Sequence, residues 1–395
     1  MRRALAIAIV AVIAWSIAFA TWRTSPASFD FVAIYASARL VATGHAADVT
    51  DRNAILAVEH ETRPERTRFL NNPNPPVVSL LLAPLGLPPF DAAYATMLTL
   101  LVAALVAAAF LLAPLAAADQ RGRLFPFAML APPSLIALVQ GQTTPLILLA
   151  VAASLRVSPR WSGLLLAATA MRPQFFPLFA LVAVLDRERR WPFLAGVAAI
   201  VAVSFALVGF AGIPSYIDLI TYSAAELRPV DMGVASLMRR FGAGEDALLS
   251  LILSAVALVA GAIAIVRTPH ERRAVSASAW SLFAAPHALP HDAILCYPAV
   301  ASRAQSTRAT AWWVGTGMAV AVVHQAGLPV ASIWLLALAT WTREKRPRVT
   351  GRVGGLATES GGDPALSEPD QSGESGEANS GARPPEPRQD PRPRR

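Results

Sequence analysis

Cysteine, lysine and charged residues in general are scarce in this chain. Cys296 is the only cysteine among 395 residues, so no disulfide can form within the chain. Lys345 is the only lysine, and charged residues make up 15% of the sequence. Hydrophobic residues reach 54%, and the mean hydropathy is +0.47. This composition excludes an ordinary soluble domain and indicates an all-α protein that crosses a membrane several times.

Apolar segments of membrane length recur along the chain, and we predict about twelve transmembrane or partial membrane helices. The first segment lacks a small-residue cleavage site, so we interpret it as an uncleaved helix rather than a signal peptide. Several later segments are short and contain prolines that break or kink a helix. The segments cover about 4–22, 91–115, 124–139, 143–155, 161–171, 173–185, 192–210, 246–266, 274–285, 290–302, 309–325 and 328–341.

Arginine occupies every second connection between these segments. The positive-inside rule places those connections, and both termini, in the cytoplasm. Because the arginines are spread over short loops, the net charge of +8 does not indicate a nucleic-acid partner. The basic connections hold Arg2-Arg3, Arg121 and Arg123, Arg156 and Arg160, Arg187 to Arg190, Arg267 to Arg273, Arg303 and Arg308, and Arg343 to Arg346.

We divide the chain into a membrane domain, 1–341, and a disordered cytoplasmic tail, 342–395, which is rich in Pro, Gly, Ser and Glu. Two large extracytoplasmic loops are predicted, at 23–77 and 211–245. The first loop contains two predicted amphipathic helices, from Asp30 to Val41 and from Asp51 to Glu61. The second helix groups Ala54, Ile55 and Val58 on one face and places Arg52, Glu59 and Arg63 elsewhere, a pattern typical of an interfacial helix.

The unusual polar residues all fall on the predicted extracytoplasmic side of the membrane, opposite the arginine-rich connections. Four distant stretches supply them, as a cavity within a helix bundle requires. Intramembrane-edge carboxylates are commonly functional, so this convergence predicts an extracytoplasmic active site. The candidate site residues are Asp30, Tyr35, Arg39, Asn74, Gln142, Arg172, His287, His291 and Asp292.

The chain contains five short motifs in this order: Phe29-Asp30-Phe31 with Tyr35, Ala38 and Arg39; Asn74-Pro75-Pro76 with Ser79 to Leu85; Gly141 to Leu146; Ala170 to Gln174; and Ala285-Pro286-His287 with Pro290-His291-Asp292. Together they resemble glycosyltransferase family 87, the polyprenyl-phosphate-mannose-dependent α-mannosyltransferases. The resemblance covers about residues 5–340. Two departures concern Ile34-Tyr35, where the family has tandem aromatics, and Asn74, where it has Tyr before Pro-Pro.

The resemblance implies a GT-C type helix bundle in a bacterial plasma membrane. It implies transfer of a hexose, mannose in the prototype, from a polyprenyl-phosphate sugar donor to a glycolipid or glycan acceptor amid membrane lipids. An inverting transfer needs a general base, for which Asp30 is the candidate. Arg172, with His287 and His291, would meet the charge that grows on the leaving phosphate. Tyr35, Arg39, Asn74, Gln142 and Asp292 would contact substrate, and no cofactor or metal is expected.

Each role has a structural alternative. Asp30 could be only the N-cap of the helix that follows it, and Arg172 could extend to outer lipid headgroups. Tyr35 and Arg39, one helical turn apart, could instead anchor that helix at the interface. His287 and His291 have the spacing of a helical zinc site, although Pro286 and Pro290 argue against a regular helix there.

Two other functions stay open at this point. A decaprenyl-phosphate-arabinose-type pentosyltransferase would share the layout, and the departures at Ile34 and Asn74 leave room for it. A membrane transporter or lipid flippase would also use broken helices. Such a protein should carry charges near mid-membrane and open to both faces in turn, whereas the cytoplasmic ends here show only the arginines that set the topology. We also see no internal repeat in the sequence.

Overall fold

A computed structural model describes residues 2–24, 30–65, 69–226, 232, 234, 247–325 and 330–340. The described part is all-helical, and residues Met1–Glu344 belong to one compact unit. The predicted disordered tail, 342–395, and much of the predicted 211–245 loop lie outside the described residues.

Seventeen α-helices and six short 3-10 helices make up the described part of the chain. The α-helices are α1 Arg2–Thr24, α2 Phe31–Ala42, α3 Arg52–Thr62, α4 Pro76–Leu81, α5 Phe90–Leu112, α6 Arg121–Leu130, α7 Pro132–Gln140, α8 Thr144–Ser154, α9 Pro159–Ala167, α10 Phe176–Val184, α11 Arg187–Val208, α12 Gly212–Glu226, α13 Ala247–Arg267, α14 Arg273–Ala284, α15 Tyr297–Arg303, α16 Thr307–Gln325 and α17 Val330–Thr340. The 3-10 helices are Ala46–Thr50, Ala83–Gly86, Ala113–Leu115, Ala168–Met171, His270–Arg272 and Pro290–Cys296.

Four helices in the described part are long and apolar enough to span a membrane: α1, α5 with its 3-10 extension, α11 and α13. The pair α6 and α7, bent by 43°, would make a fifth. The count of about twelve is therefore not confirmed. A helix of ten residues is about 15 Å long, roughly half the thickness of the hydrocarbon core.

Proline is the physical reason for the short helices. Pro132 and Pro133 begin α7 directly after Ala131, whose backbone is extended, and so split the predicted 124–139 segment. Pro173 likewise lies in the break between α9 and α10, and Pro177 is the second residue of α10. Proline lacks an amide donor and disfavours helical geometry in the residue before it, so each one marks a helix start.

The long helices expose apolar side chains, as a lipid-facing surface requires. On α1 these include Leu5, Ile9 and Val12, and on α13 Leu251 and Val256. The polar groups of the site described below are mostly buried between helices instead. The exposed and buried faces thus have the polarity of a membrane protein.

The first predicted loop folds as two helices near the predicted bounds, but their burial differs from the prediction. Residues Phe31 to Ala38 of α2 are all buried, so α2 is a core helix rather than an amphipathic one. Asp51 caps α3 by accepting from the amides of Asn53 and Ala54, at 2.7 and 3.0 Å. Ile55 packs inward together with Ala54 and Val58, which confirms that face.

The prediction for Glu59 was wrong, because this residue is fully buried in α3. One of its carboxylate oxygens accepts from the amide of Leu70 at 3.1 Å. That amide belongs to the segment that packs over α3. A tertiary hydrogen bond therefore overrides the helical pattern that had placed Glu59 away from the apolar face.

Several basic connections meet at one end of the bundle. Arg156 Nε donates to the carbonyl of Leu111 at 2.6 Å, at the end of α5. Gln305 donates to the carbonyl of Leu115 at 2.9 Å. At its other end α5 begins with Phe90, whose ring lies 5.6 Å from that of Phe31 at the start of α2. We call the end with Arg156 the basic end and the end with Phe31 the α2 end.

The predicted second loop, 211–245, begins with a helix, α12. Tyr216 donates to the carbonyl of Pro73 at 3.2 Å, and the Asn71 amide donates to the carbonyl of Leu219. The Asn71–Pro76 turn is therefore a packing surface for α12.

Candidate active site

Four of the predicted site residues form one continuous polar network. The Gln142 side chain connects two of them: its amide nitrogen donates to Asp30 Oδ2, and its oxygen accepts from Arg172 Nη2. Arg172 Nη1 lies 4.0 Å from Asp292 Oδ1. A carboxylate, an amide, a guanidinium and a second carboxylate thus follow one another. We call this set, Asp30, Gln142, Arg172 and Asp292, the polar relay.

A tight turn brings Gln142 to the start of α2. Gly141 ends α7 in the left-handed conformation, at φ 64°, which glycine adopts without steric cost. A Cβ on Gly141 would lie 2.8 Å from the Cβ of Phe31, which is too close for two carbon atoms. The close approach of the two segments therefore requires glycine at position 141. Gln142 follows this contact directly and therefore reaches Asp30, the residue before Phe31.

Asp30 occupies the N-cap position of α2, but its side chain accepts no capping hydrogen bond. Its backbone carbonyl accepts from the amide of Ala33 at 3.1 Å. The carboxylate is partly exposed and turns to Gln142 instead. Capping therefore does not account for an acidic residue at this position.

The backbone leaves the helical conformation at Arg172. The 3-10 helix Ala168–Met171 ends there, and Arg172 adopts φ −129° and ψ 80°, as expected before Pro173. The side chain is 7% exposed, so its charge is held inside the protein. An arginine that extended to lipid headgroups would be largely exposed, so the structure does not support that alternative.

Asp292 balances this buried charge. It is fully buried and sits in the first turn of the 3-10 helix Pro290–Cys296. Thr144 Oγ1 donates to its Oδ1 at 3.0 Å, and the amide of Leu289 donates to its Oδ2 at 3.0 Å. These donors fix the carboxylate beside Arg172, so Asp292 has the position of a counter-ion rather than of a substrate-contacting group.

His291 lies against the same carboxylate. Its Nε2 is 3.5 Å from Asp292 Oδ1, too long for a well-formed hydrogen bond, and His291 is 1% exposed. Both His291 Nε2 and Arg172 Nε are buried without a hydrogen-bond partner. Two nitrogen atoms of adjacent side chains are therefore unused, where most buried polar groups would be paired.

The other predicted site residues are not part of the polar relay. Tyr35 is buried and donates to the carbonyl of Pro88 at 3.0 Å. Arg39 contacts the Tyr35 hydroxyl at 3.4 Å and pairs with Glu61 at 3.2 Å. Asn74 donates to Asn72 Oδ1 at 2.7 Å, and its own side-chain oxygen is buried without a partner.

His287 falls between α14 and the 3-10 helix that begins at Pro290. The expectation that His287 and His291 do not share a regular helix is therefore confirmed. Among the residues that the structure describes, no group of three or more His, Cys, Asp or Glu side chains is arranged to hold a metal ion. His287 is close enough for its charge to act on His291 and Asp292.

The comparison with protein families decides the class of the protein. The model of glycosyltransferase family 87 matches residues 72–298, more than half of the chain. The chain belongs to glycosyltransferase family 87. Its membership, together with the apolar helices, identifies a multi-pass membrane glycosyltransferase. No curated protein and no solved structure matches the chain.

The family 87 match includes most of the polar relay but not all of it. Gln142, Arg172 and Asp292 lie inside residues 72–298, as do Asn74, His287 and His291. Asp30, Tyr35 and Arg39 precede the matched residues. The link between the two parts is the hydrogen bond from Gln142 to Asp30, which joins the matched region to the start of α2.

Thr144 is a residue of the candidate site that sequence reasoning missed. It lies in the Gly141–Leu146 motif, but no role was predicted for it. A threonine at the start of a helix before proline, at the same predicted end as Asp292, was the available signal. Its contact with Asp292 depends on how α8 and the Pro290 segment pack, which the sequence pattern does not give.

Proposed function

We propose that this glycosyltransferase moves a hexose, mannose in the first instance, from a polyprenyl-phosphate sugar to a lipid or glycan acceptor. The transfer takes place at the extracytoplasmic face of a bacterial plasma membrane, within a GT-C type bundle whose termini are cytoplasmic. The observation that carries the proposal is the polar relay. It connects a partly exposed carboxylate to a buried guanidinium through a single amide group.

Asp30 acts as the general base in this proposal. The acceptor hydroxyl gives its proton to the Asp30 carboxylate while its oxygen bonds to the anomeric carbon. Gln142 occupies one carboxylate oxygen, Oδ2, which leaves Oδ1 for the acceptor. The bond between the anomeric carbon and the phosphate oxygen breaks as the new bond forms, and the configuration is inverted.

Arg172 binds the phosphate of the donor. The leaving group changes from a phosphodiester to a phosphate monoester and gains charge, which a pre-positioned guanidinium stabilises without a metal ion. The unused nitrogens of Arg172 and His291 support this role, because an anion would satisfy buried donors that have no partner in the protein. Asp292 holds the guanidinium in place.

The test of the proposal is a transfer assay on the purified full chain in nanodiscs. We expect radiolabel from polyprenyl-phosphate mannose to enter a new lipid or glycan in a membrane extract, without added metal and in the presence of a chelator. Decaprenyl-phosphate arabinose serves as the second donor. Transfer from the arabinose donor alone would replace the hexose by a pentose, and transfer that stops on chelation would contradict the metal-free mechanism.

Replacing Gln142 by Ala is expected to lower kcat about 10²-fold, because a misplacement of about 1 Å costs that much in a positioned reaction. The donor KM should change less, since Arg172 and Asp292 keep their contact. The measurement is steady-state transfer at varied donor concentration. Gln140→Ala is the matched control: it removes a neighbouring amide that makes no hydrogen bond in the described structure. Equal losses for the two variants would contradict the role of Gln142.

A further inference from the structure

A polar pocket lies at the basic end of the bundle, away from the polar relay. Its volume is about 370 Å³, and it is formed where α9, α10, α11 and α14 begin or end. Its basic lining residues are Arg187, Arg189, His270 and Arg273. We call it the basic-end pocket. Neither the family assignment nor the proposed transfer uses it.

The two acidic residues of the lining, Asp186 and Glu188, leave its three arginines with a formal net charge of +1. His270 pairs with Glu271 at 3.0 Å. Asp186 caps α11 by accepting from the amides of Glu188 and Arg189, at 3.0 and 3.4 Å. The same carboxylate pairs with Arg189 Nε at 3.0 Å. Glu188, the other acidic lining residue, is exposed. The one acidic group that is fixed in the pocket is therefore already paired within the protein.

Two arginines remain available for a ligand. The Arg187 side chain is exposed and makes no hydrogen bond or ion pair with the residues that the structure describes. Arg273 donates through Nε to the carbonyl of Thr268 at 3.3 Å, which leaves its terminal nitrogens for another partner. The amino-terminal turn of α11 is already capped by Asp186, so the two arginines are the groups that would bind an anion.

Two exposed tryptophans border the pocket, and tryptophan is enriched at membrane interfaces. Trp161 and Trp191 are 63% and 69% exposed, and they follow Arg160 and Arg190 on the two helices that border the pocket. Arg-Trp pairs of this kind concentrate at the boundary between headgroups and acyl chains. The pocket therefore opens at the depth of lipid headgroups rather than into bulk water.

The apolar part of the lining points to the same ligand. Leu185 lines the pocket beside the charged residues and is 39% exposed at the end of α10, whereas the neighbouring Val182 is 1% exposed. A free phosphate would use only the arginines, whereas a phospholipid would also cover this apolar surface. The α9–α11 contact is rigid, since a Cβ on Gly163 would lie 2.2 Å from the carbonyl of Arg189.

We infer that the basic-end pocket binds the headgroup of an anionic phospholipid, with its phosphodiester between Arg187 and Arg273 and its acyl chains along α10. The inference is independent of the sugar and donor proposed above. It predicts that the purified protein prefers anionic phospholipid even when no sugar donor or acceptor is present.

The test uses native mass spectrometry of the purified full chain titrated with phosphatidylglycerol or phosphatidylcholine. Wild type should retain one phosphatidylglycerol selectively. The double variant Arg187→Gln/Arg273→Gln should bind it about 30-fold more weakly, because each lost charge weakens binding about fivefold. Arg308→Gln, an exposed arginine outside the pocket, is the matched control and should bind like wild type. Added glycerol phosphate measures how much of the affinity the headgroup alone provides.

Equal retention of the two lipids, or unchanged binding by the double variant, would overturn the inference. Complete displacement by millimolar glycerol phosphate would also overturn it, because the site would then recognise a soluble phosphate. Arg187→Gln alone separates binding from folding, since the Arg187 side chain has no hydrogen bond or ion pair to lose among the described residues. Its thermal midpoint should match that of wild type, and it should weaken binding by several-fold.

Discussion

Replacement of Asp30 by Asn is expected to lower sugar transfer by about 10²- to 10⁴-fold, the usual contribution of a general base. The substitution keeps the size of the side chain and one oxygen that can accept the Gln142 hydrogen bond. It removes only the ability to take a proton from the acceptor. The measurements are the initial rate of transfer from polyprenyl-phosphate sugar and the thermal midpoint of the purified variant.

The fold should be unaffected by this change. Asp30 makes no capping hydrogen bond, so its replacement takes no stabilisation from α2. The thermal midpoint of Asp30→Asn should therefore match that of wild type. A large decrease in the midpoint would mean that the loss of activity reports unfolding, and a retained rate would show that the base is another residue.

Asp51 provides the matched control in the same part of the chain. It also precedes a helix, but its carboxylate does cap, accepting from two amides of α3. Asp51→Ala should cost about 1 kcal/mol of stability and leave the transfer rate unchanged. The two variants should thus show opposite results, one losing activity alone and the other stability alone. Loss of activity in both would contradict a specific role for Asp30.

Features produced by interactions between residues close in sequence could be predicted, and features produced by tertiary packing could not. The bounds of α2 and α3 follow from local signals: Asp51 is a capping residue, and the helix after Asp30 has a continuous apolar sequence. Helix interruptions at Pro132 and Pro173 are equally local. The number of membrane spans was not obtained, because a short apolar helix buried in a bundle and a membrane-spanning one have the same composition.

The membership of the polar relay was only partly predictable. Two sequence criteria, polarity and the predicted side of the membrane, selected Asp30, Gln142, Arg172 and Asp292. The structure places these four residues in one network. The same criterion selected Tyr35 and Arg39, whose polar atoms contact Pro88, Glu61 and each other. The difference lies in tertiary packing: Gly141 against Phe31 directs Gln142 to the relay, whereas the rings of Phe31 and Phe90 surround Tyr35.

The second large effect is expected at Arg172. Arg172→Lys keeps a positive charge but replaces a planar fork by a single ammonium, which cannot contact Gln142, Asp292 and a phosphate in the same way. We expect kcat to fall about 10²- to 10³-fold, the cost of losing one pre-positioned donor in the transition state. The donor KM should rise, and the acceptor KM should stay near its wild-type value. Steady-state kinetics with each substrate varied in turn measure both.

A purely structural role for Arg172 would give a different pattern, and Asp292 makes the two separable. Arg172→Ala leaves a fully buried carboxylate without its cation, which costs about 3–5 kcal/mol when a buried pair is broken. Adding Asp292→Asn removes that uncompensated charge, so the double variant should regain part of the lost stability. Its activity should not return, because the phosphate still lacks the guanidinium. If the double variant recovered transfer along with stability, Arg172 would serve the fold alone. For Arg172→Lys, a rise in acceptor KM equal to the rise in donor KM would exclude specific donor binding.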